Sequence, residues 1–333
     1  MAEVHVKLGL IYFQQGKFAE AVPALRQALK LKPALPNADT LLAMSLSELG
    51  DYSEALPGLE KGFRRSADPA LKRLAGLQLQ RAYTGLGKDG KAVEVALELN
   101  RLYPEDPEIL YHGSRLYANF AYLMLRKLSE VAPNSVWRRQ AAGETFESQG
   151  QHELAMREYR AVLALDPNRP GIHFRLGRTL LASAQPESQM EALKEFEQEL
   201  DLDPTNGNAA YEAGEIHRRL GQLDQAAKFF EKALKTDVDF EEAQIGLGRV
   251  LVTQGKSDQA LPHLQKAVAL NPANDVSQYQ LSQAYRALGR TTEQQKALNE
   301  FQRLRAEKAH REQKAVEPSR EVTKQALDPE VRP

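Results

Sequence analysis

Residues Tyr211–Leu234 read YEAGEIHRRLGQLDQAAKFFEKAL. The stretch has helical spacing, yet it places Gly214 and Gly221 seven residues apart with Ala226 five further on. Glycine in a helix interior costs roughly 0.5–1 kcal/mol relative to alanine, so two of them need a reason. The rest of the chain supplies it. A glycine in a QG or LG pair recurs at Gly16, Gly50, Gly87, Gly150, Gly221, Gly255 and Gly289, at intervals of 34, 37, 63, 71, 34 and 34 residues. Each of the two long intervals holds one further unit without a turn glycine, so a single period near 34 runs throughout. Other positions keep the register. Seven residues before the turn glycine stand Gly9, Ala43, Gly143, Gly214 and Gly248, with Gly177 matching in a unit that lost its turn glycine. Five residues after it stand Ala21, Ala55, Ala92, Ala155, Ala226 and Ala260, and the units close near Pro33, Pro104, Pro133, Pro167, Pro204 and Pro272. Self-similarity at this period marks a repeat array.

Each unit carries two apolar stripes of helical period, as in Leu176 and Leu180 followed by Leu193, Phe196 and Leu200. A short break centred on glycine separates them, the pattern of a helical hairpin. Small residues at the Gly214 and Ala226 positions let neighbouring helices approach closely. Gly221 supplies a positive-φ turn between them. Asp-Pro pairs such as Asp166-Pro167 and Asp203-Pro204 end the second helix.

This pattern resembles the tetratricopeptide repeat, whose 34-residue consensus has small residues, an aromatic and a proline at these positions. Leu247-Gly248, Leu251, Gly255, Ala260, Leu264, Ala267 and Pro272 form a good single copy. The expected fold is all-α: a right-handed α-solenoid superhelix of about nine helix-turn-helix repeats with a C-terminal capping helix. Repeats one to three occupy 1–106, a shortened fourth repeat 107–135, and repeats five to nine 136–305. Residues 306–333 hold the end of the capping helix and a charged tail.

The fourth unit breaks the rule. Only 29 residues separate Pro104 from Pro133, and the missing five cover the end of the first helix and its turn glycine. The segment LYHGSRLYANFAYLMLRKLSEVAP either turns more tightly or runs on as one bent helix. It is rich in aromatics, which either fill the space of a shortened hairpin or line a hinge or pocket. Unit six carries an insertion at 184–188, read as a longer surface turn. The last helix, Thr292 to about Arg311, departs from the consensus at Gln294 and has the polar character of a terminal cap. Residues 312–333 lack aromatics and contain Pro318, Pro329 and Pro333, and no folded structure is expected of them.

Composition narrows the function classes. The 333 residues carry 44 basic and 45 acidic side chains, so no global field favours nucleic acid or an anionic membrane. There is no cysteine, which removes disulfides, thiolate metal sites and thiol nucleophiles. No apolar run approaches the ~18 residues that span a bilayer. Met1-Ala2-Glu3 runs straight into an amphipathic pattern; a leader removed upstream would leave no trace, and compartment and oligomeric state stay unassigned.

Two motifs imitate nucleotide-binding loops. TGLGKDGKA holds a GxGxxG at Gly85, Gly87 and Gly90 and a near P-loop ending in Lys91, but helix precedes it and Ala92 stands where Ser or Thr must bind Mg²⁺. QGKS at Gln254–Ser257 lacks the upstream glycine, since position 250 is Val. Both read as interhelical turns. His152-Glu153 lacks the second histidine of a zinc helix. No catalytic residues, metal ligands or cofactor are assigned.

The resemblance implies that the first helices of successive hairpins line a concave surface, into which the fifth and ninth positions of each unit point. The ligand-groove candidates drawn from these rows are Arg81, Tyr111, Arg115, Phe174, Arg178, Tyr211, Ile245, Arg249 and Tyr279, with Arg175 from a sixth position. Tyr, Phe and Arg dominate protein recognition energies. The carboxylate clamp known in the family needs Lys at the fifth and Asn at the ninth position, which no unit has. The asparagine ladder of glycosyltransferase arrays is absent too. The implied function is a non-enzymatic scaffold binding an extended protein or peptide segment. The alternative is a substrate-docking or regulatory fragment of a larger enzyme.

Overall fold

In the computed structural model residues 1–183 and 188–327 are described, the side chains of 313–327 excepted. Among the described residues there are 17 helices and no strand. The chain divides into two compact units, 1–133 and 134–333.

The first unit holds three helical hairpins and one long helix. The hairpins are α1 (Ala2–Gln14) with α2 (Phe18–Leu31), α3 (Ala38–Leu49) with α4 (Tyr52–Arg65), and α5 (Pro69–Gly85) with α6 (Asp89–Leu102). The long helix is α7 (Pro107–Val131). The second unit holds five hairpins: α8 (Val136–Ser148) with α9 (His152–Leu165), α10 (Ile172–Ala182) with α11 (Ser188–Leu202), and α12 (Gly207–Arg219) with α13 (Leu223–Thr236). The last two are α14 (Glu241–Thr253) with α15 (Ser257–Leu270) and α16 (Asp275–Ala287) with α17 (Thr291–Leu327).

A single ring accounts for glycine inside these helices. Phe230 on α13 is fully buried. A Cβ on Gly214 of α12 would lie 2.9 Å from that ring, and one on Gly246 of α14 only 2.7 Å away. Two glycines thus form a slot, one in the same hairpin and one in the next. The helix-propensity penalty of each is offset by burying a whole phenyl group, which is worth about 1.5–3 kcal/mol. Gly143 against Tyr159, Gly177 against Phe196 and Gly248 against Leu264 repeat the arrangement. All seven turn glycines have φ between 66° and 88°, a region that costs other L-residues roughly 1–2 kcal/mol. Gly87 is among them, so the nucleotide-loop look-alike is the turn between α5 and α6.

The fourth repeat takes the second course open to it. Asp106 caps α7, accepting from the N–H groups of Glu108 and Ile109, and Pro107 occupies the first helical turn. Arg73 fastens this end to α5 through Asp106 at 2.6 Å and Glu108 at 2.7 Å. Those guanidinium bonds, with the Ile109 and Glu108 amides, hold the Asp106 carboxyl at about 2. Beyond Gly113 no glycine or proline interrupts the sequence up to Val131, so the helix runs on for 25 residues. Only its first half contributes buried residues: Ile109, Gly113 and Leu116.

Helix α17 continues to Leu327, past the end expected near Arg311. Its Glu, Gln, Lys and Ala residues are good helix formers. Residues 184–187 of the unit-six insertion, and 328–333 of the tail, lie outside the described residues.

Candidate functional site

Within the first unit α1 touches α3 and α3 touches α5; within the second α12 touches α14 and α14 touches α16. These first helices adjoin one another, and along each helix the fifth and ninth positions, four residues apart, lie on one side. In the first unit this side holds a cavity of about 700 Å³. Glu48 of α3, Leu77, Gln78 and Arg81 of α5, and His112 and Arg115 of α7 line it. Arg81 is exposed but paired, its Nη1 donating to Glu48 Oε2 at 2.9 Å. Gln78 Nε2 donates to the other oxygen of Glu48, and the Gln78 carbonyl accepts from the Ser47 hydroxyl. Arg115 donates to the Tyr111 hydroxyl at 2.9 Å, with its guanidinium 5.7 Å from the ring centroid. Tyr111 is 55% exposed.

In the second unit the candidates divide by what they already hold. Arg175 is committed: it donates to Glu147 at 2.8 Å, lies 3.5 Å from Glu144 and reaches the hydroxyl of buried Tyr159. The Tyr159 hydroxyl donates to Glu147 as well, and burial together with that carboxylate drives its pKa well above the usual phenol range. Arg178, three residues on, is exposed and has no ion pair among the described residues; its guanidinium lies 5.8 Å from the Phe174 ring centroid. Arg249 is likewise exposed, and among the described residues its guanidinium has no hydrogen-bond or ion-pair partner. Tyr211 is half-buried between Phe230 and Phe240, with centroids at 5.9 and 5.3 Å. Burial, then the Glu215 and Glu212 charges, push its hydroxyl up to about 12. Tyr279 leans on Phe301 of α17 and stays 40% exposed.

Ile245, expected to face the groove, is instead buried in the structure. It is only 8% exposed, because Gly246 and Gly248 draw α14 so close to its neighbours that the fifth position closes over. Glu212, which the sequence pattern does not single out, lies on the same side. This carboxylate is half-buried with no hydrogen bond or ion pair among the described residues, and burial raises its pKa against the pull of Arg178 and Arg219. It belongs to the same sixth row as Gln78 and His112, so the repeat register is the signal that finds it. Glu215 is already held by Arg218 at 2.8 Å. Among the described residues no group of His, Asp and Glu side chains is arranged to hold a metal ion, and no helix is long and apolar enough to cross a membrane.

Known proteins agree with this architecture. Family models of the tetratricopeptide repeat match residues 2–35, 143–183, 191–250 and 245–309. The chain belongs to the tetratricopeptide repeat family. Its fold is similar to the crystal structure of MamA protein, at 22% identity over 53% of this chain and 94% of that one, with a TM-score of 0.48. It is also similar to YrrB, described as a TPR protein with an unusual peptide-binding site, at 20% identity over 54% of this chain and 91% of that one, with a TM-score of 0.48. No curated protein sequence matches the chain.

Proposed function

We propose that this protein is a non-enzymatic interaction scaffold that holds an extended segment of a partner protein along its first-helix face. The observation carrying the proposal is the contrast among arginines in the second unit. Arg175 and Arg218 are consumed by Glu147 and Glu215. Arg178 and Arg249 stand exposed with no ion pair among the described residues, and the Arg178 guanidinium lies 5.8 Å from the Phe174 ring centroid. Unpaired guanidinium forks beside half-buried rings suit a peptide that offers carboxylates or carbonyls together with apolar side chains. Glu212 on the same face adds an acceptor for an amine or amide, so the favoured ligand carries both charges. The cavity of the first unit supplies a second concave surface of the same row, with Arg81 and Arg115 at its wall.

The test is the double variant Arg178→Glu with Arg249→Glu, studied by melting and by titration with a partner recovered by affinity capture. Both sites are exposed, so each change shifts stability by no more than about 0.5 kcal/mol. Affinity falls at least about tenfold, equivalent to about 1.4 kcal/mol. Unchanged affinity would remove the groove assignment.

A further inference from the structure

Among the described residues, the side chains in the second half of α7 are left largely exposed. Counting back from the closing proline, the residue twelve places earlier is alanine in ordinary units: Ala21, Ala92, Ala155, Ala192 and Ala260, all fully buried. Eight places before it stands the core residue: Leu25, Tyr159, Phe196 and Leu264, again fully buried. Counted from Pro133, these places are Ala121 and Leu125. The fourth unit therefore keeps the core register of a second helix. Yet Ala121 is exposed, Leu125 is 40% exposed, and Met124 and Tyr122 beside them are 48% and 63% exposed.

In the closed hairpins the core residue packs on the small residue sixteen places before it, as Leu25 does on Gly9 and Tyr159 on Gly143. The equivalent small residue of α7 is Ser114, at the eighth place of its unit, and it too is exposed. Ser114 and Leu125 lie eleven residues apart on one unbroken helix, about 16 Å along its axis at 1.5 Å per residue. They cannot meet within one chain. Each half of α7 thus presents one side of a hairpin interface and lacks the other.

We infer that the occupant of this face is a second copy of the same helix. An antiparallel pair of α7 helices, related by a two-fold axis near Asn119 and Phe120, sets Ser114 of each copy against Leu125 of the other. The missing hairpin contacts are then made twice, as an isologous interface requires. Ala118 and Ala121 flank the axis; both are small and exposed, so the helices can approach closely where they cross. Tyr111, Ser114, Ala118, Ala121, Leu125 and Leu128 recur at alternating spacings of three and four residues, the stripe that antiparallel helices pack upon. The proposal does not rest on Arg178 or Arg249; its seam borders the first-unit cavity at Asn119 and shares Tyr111 with the groove candidates.

Sedimentation equilibrium of the full chain should give twice the 37.2 kDa chain mass. Leu125→Glu places a charge in the apolar seam and should raise the dimer dissociation constant at least about a hundredfold with helicity unchanged. Inserting five residues with a central glycine after Ala118 restores the hairpin and should yield a monomer. Because the chain has no cysteine, Ala118→Cys gives a single reporter: a short bis-maleimide should join two copies, while Lys228→Cys on α13 should not be joined. A chain that sediments as a monomer at every concentration overturns the proposal. So does a dimer that survives Leu125→Glu and is not captured through Ala118→Cys, and this second readout stands even if the glutamate variant misfolds.

Discussion

Helices α12 and α13 on one side, and α7 on the other, are two outcomes of the same repeat. In the first, Gly221 reverses the chain at φ 74°, and Phe230 enters the slot between Gly214 and Gly246. In the second, the five residues that would hold the turn are absent, and Leu125, in the place of Phe230, remains 40% exposed. The second-helix sequence is intact in both. Closure of a repeat therefore depends on the turn, and core residues without it are left on the surface as a binding face.

Truncation at the matching core position gives the largest contrast. Phe230→Ala removes a fully buried ring and should cost about 3–5 kcal/mol. Leu125→Ala, measured at dilutions where the chain is monomeric, should cost less than about 1 kcal/mol, since its side chain already meets water. Chemical denaturation followed by circular dichroism compares them directly, and equal losses would break the contrast.

The turn itself comes next. Gly221→Ala forces a side chain into the left-handed region and should destabilise the second unit by about 1–2 kcal/mol. The same substitution at Gly113, inside α7 and with nothing closer than 3.6 Å to the added methyl, should stabilise by up to about 1 kcal/mol through helix propensity. Thermal melts of the two variants should move in opposite directions.

A smaller effect separates structural from accessible arginines. Arg175→Ala breaks the link among Glu147, Glu144 and Tyr159 and should cost about 1 kcal/mol, the partial exposure of the group keeping the loss modest. Arg178→Ala should cost no more than about 0.5 kcal/mol. If both melt alike, Arg175 does not hold α10 to the preceding hairpin.

The smallest expected effect is a pH dependence confined to the second unit. His263 donates through Nδ1 to Gln244 at 2.7 Å, and burial lowers its pKa below the usual 6.5, with Lys266 acting in the same direction and Glu231 opposing. The unfolded chain binds more protons than the folded one between that lowered value and 6.5. Stability should therefore fall as pH drops from about 6.5 through the folded pKa, and stay level above it. His263→Gln should remove this slope from melts recorded across that window.

Much of the fold is legible in the amino-acid sequence. The seven turn glycines, the glycines facing large core residues and the helical pairing all follow from one period, because backbone reversal and close approach each restrict the residue type severely. The accessible face is less legible. Ile245 and Tyr111 occupy the same place in their units, yet one is buried and the other is 55% exposed. Exposure at that place depends on how closely the neighbouring hairpin approaches, and the glycines that set the approach at Ile245 sit on its own helix. Glu212 is hidden for a different reason: a carboxylate without a partner looks, in sequence, like any solvated charge. For α7 the sequence admits both a tight turn and an unbroken helix. The helical preference of Tyr117–Leu125, with no breaker among them, decides for the helix.

The most direct test of the contrast between α13 and α7 is hydrogen exchange in the monomeric Leu125→Glu chain, read by mass spectrometry over 118–131 and 223–236. Amides in the second half of α7 lack tertiary cover and should exchange on the order of a hundredfold faster than those of α13, whose opening requires Phe230 to leave its slot. Equal protection of the two segments would contradict the account, because it would mean that the fourth repeat closes on itself without a turn.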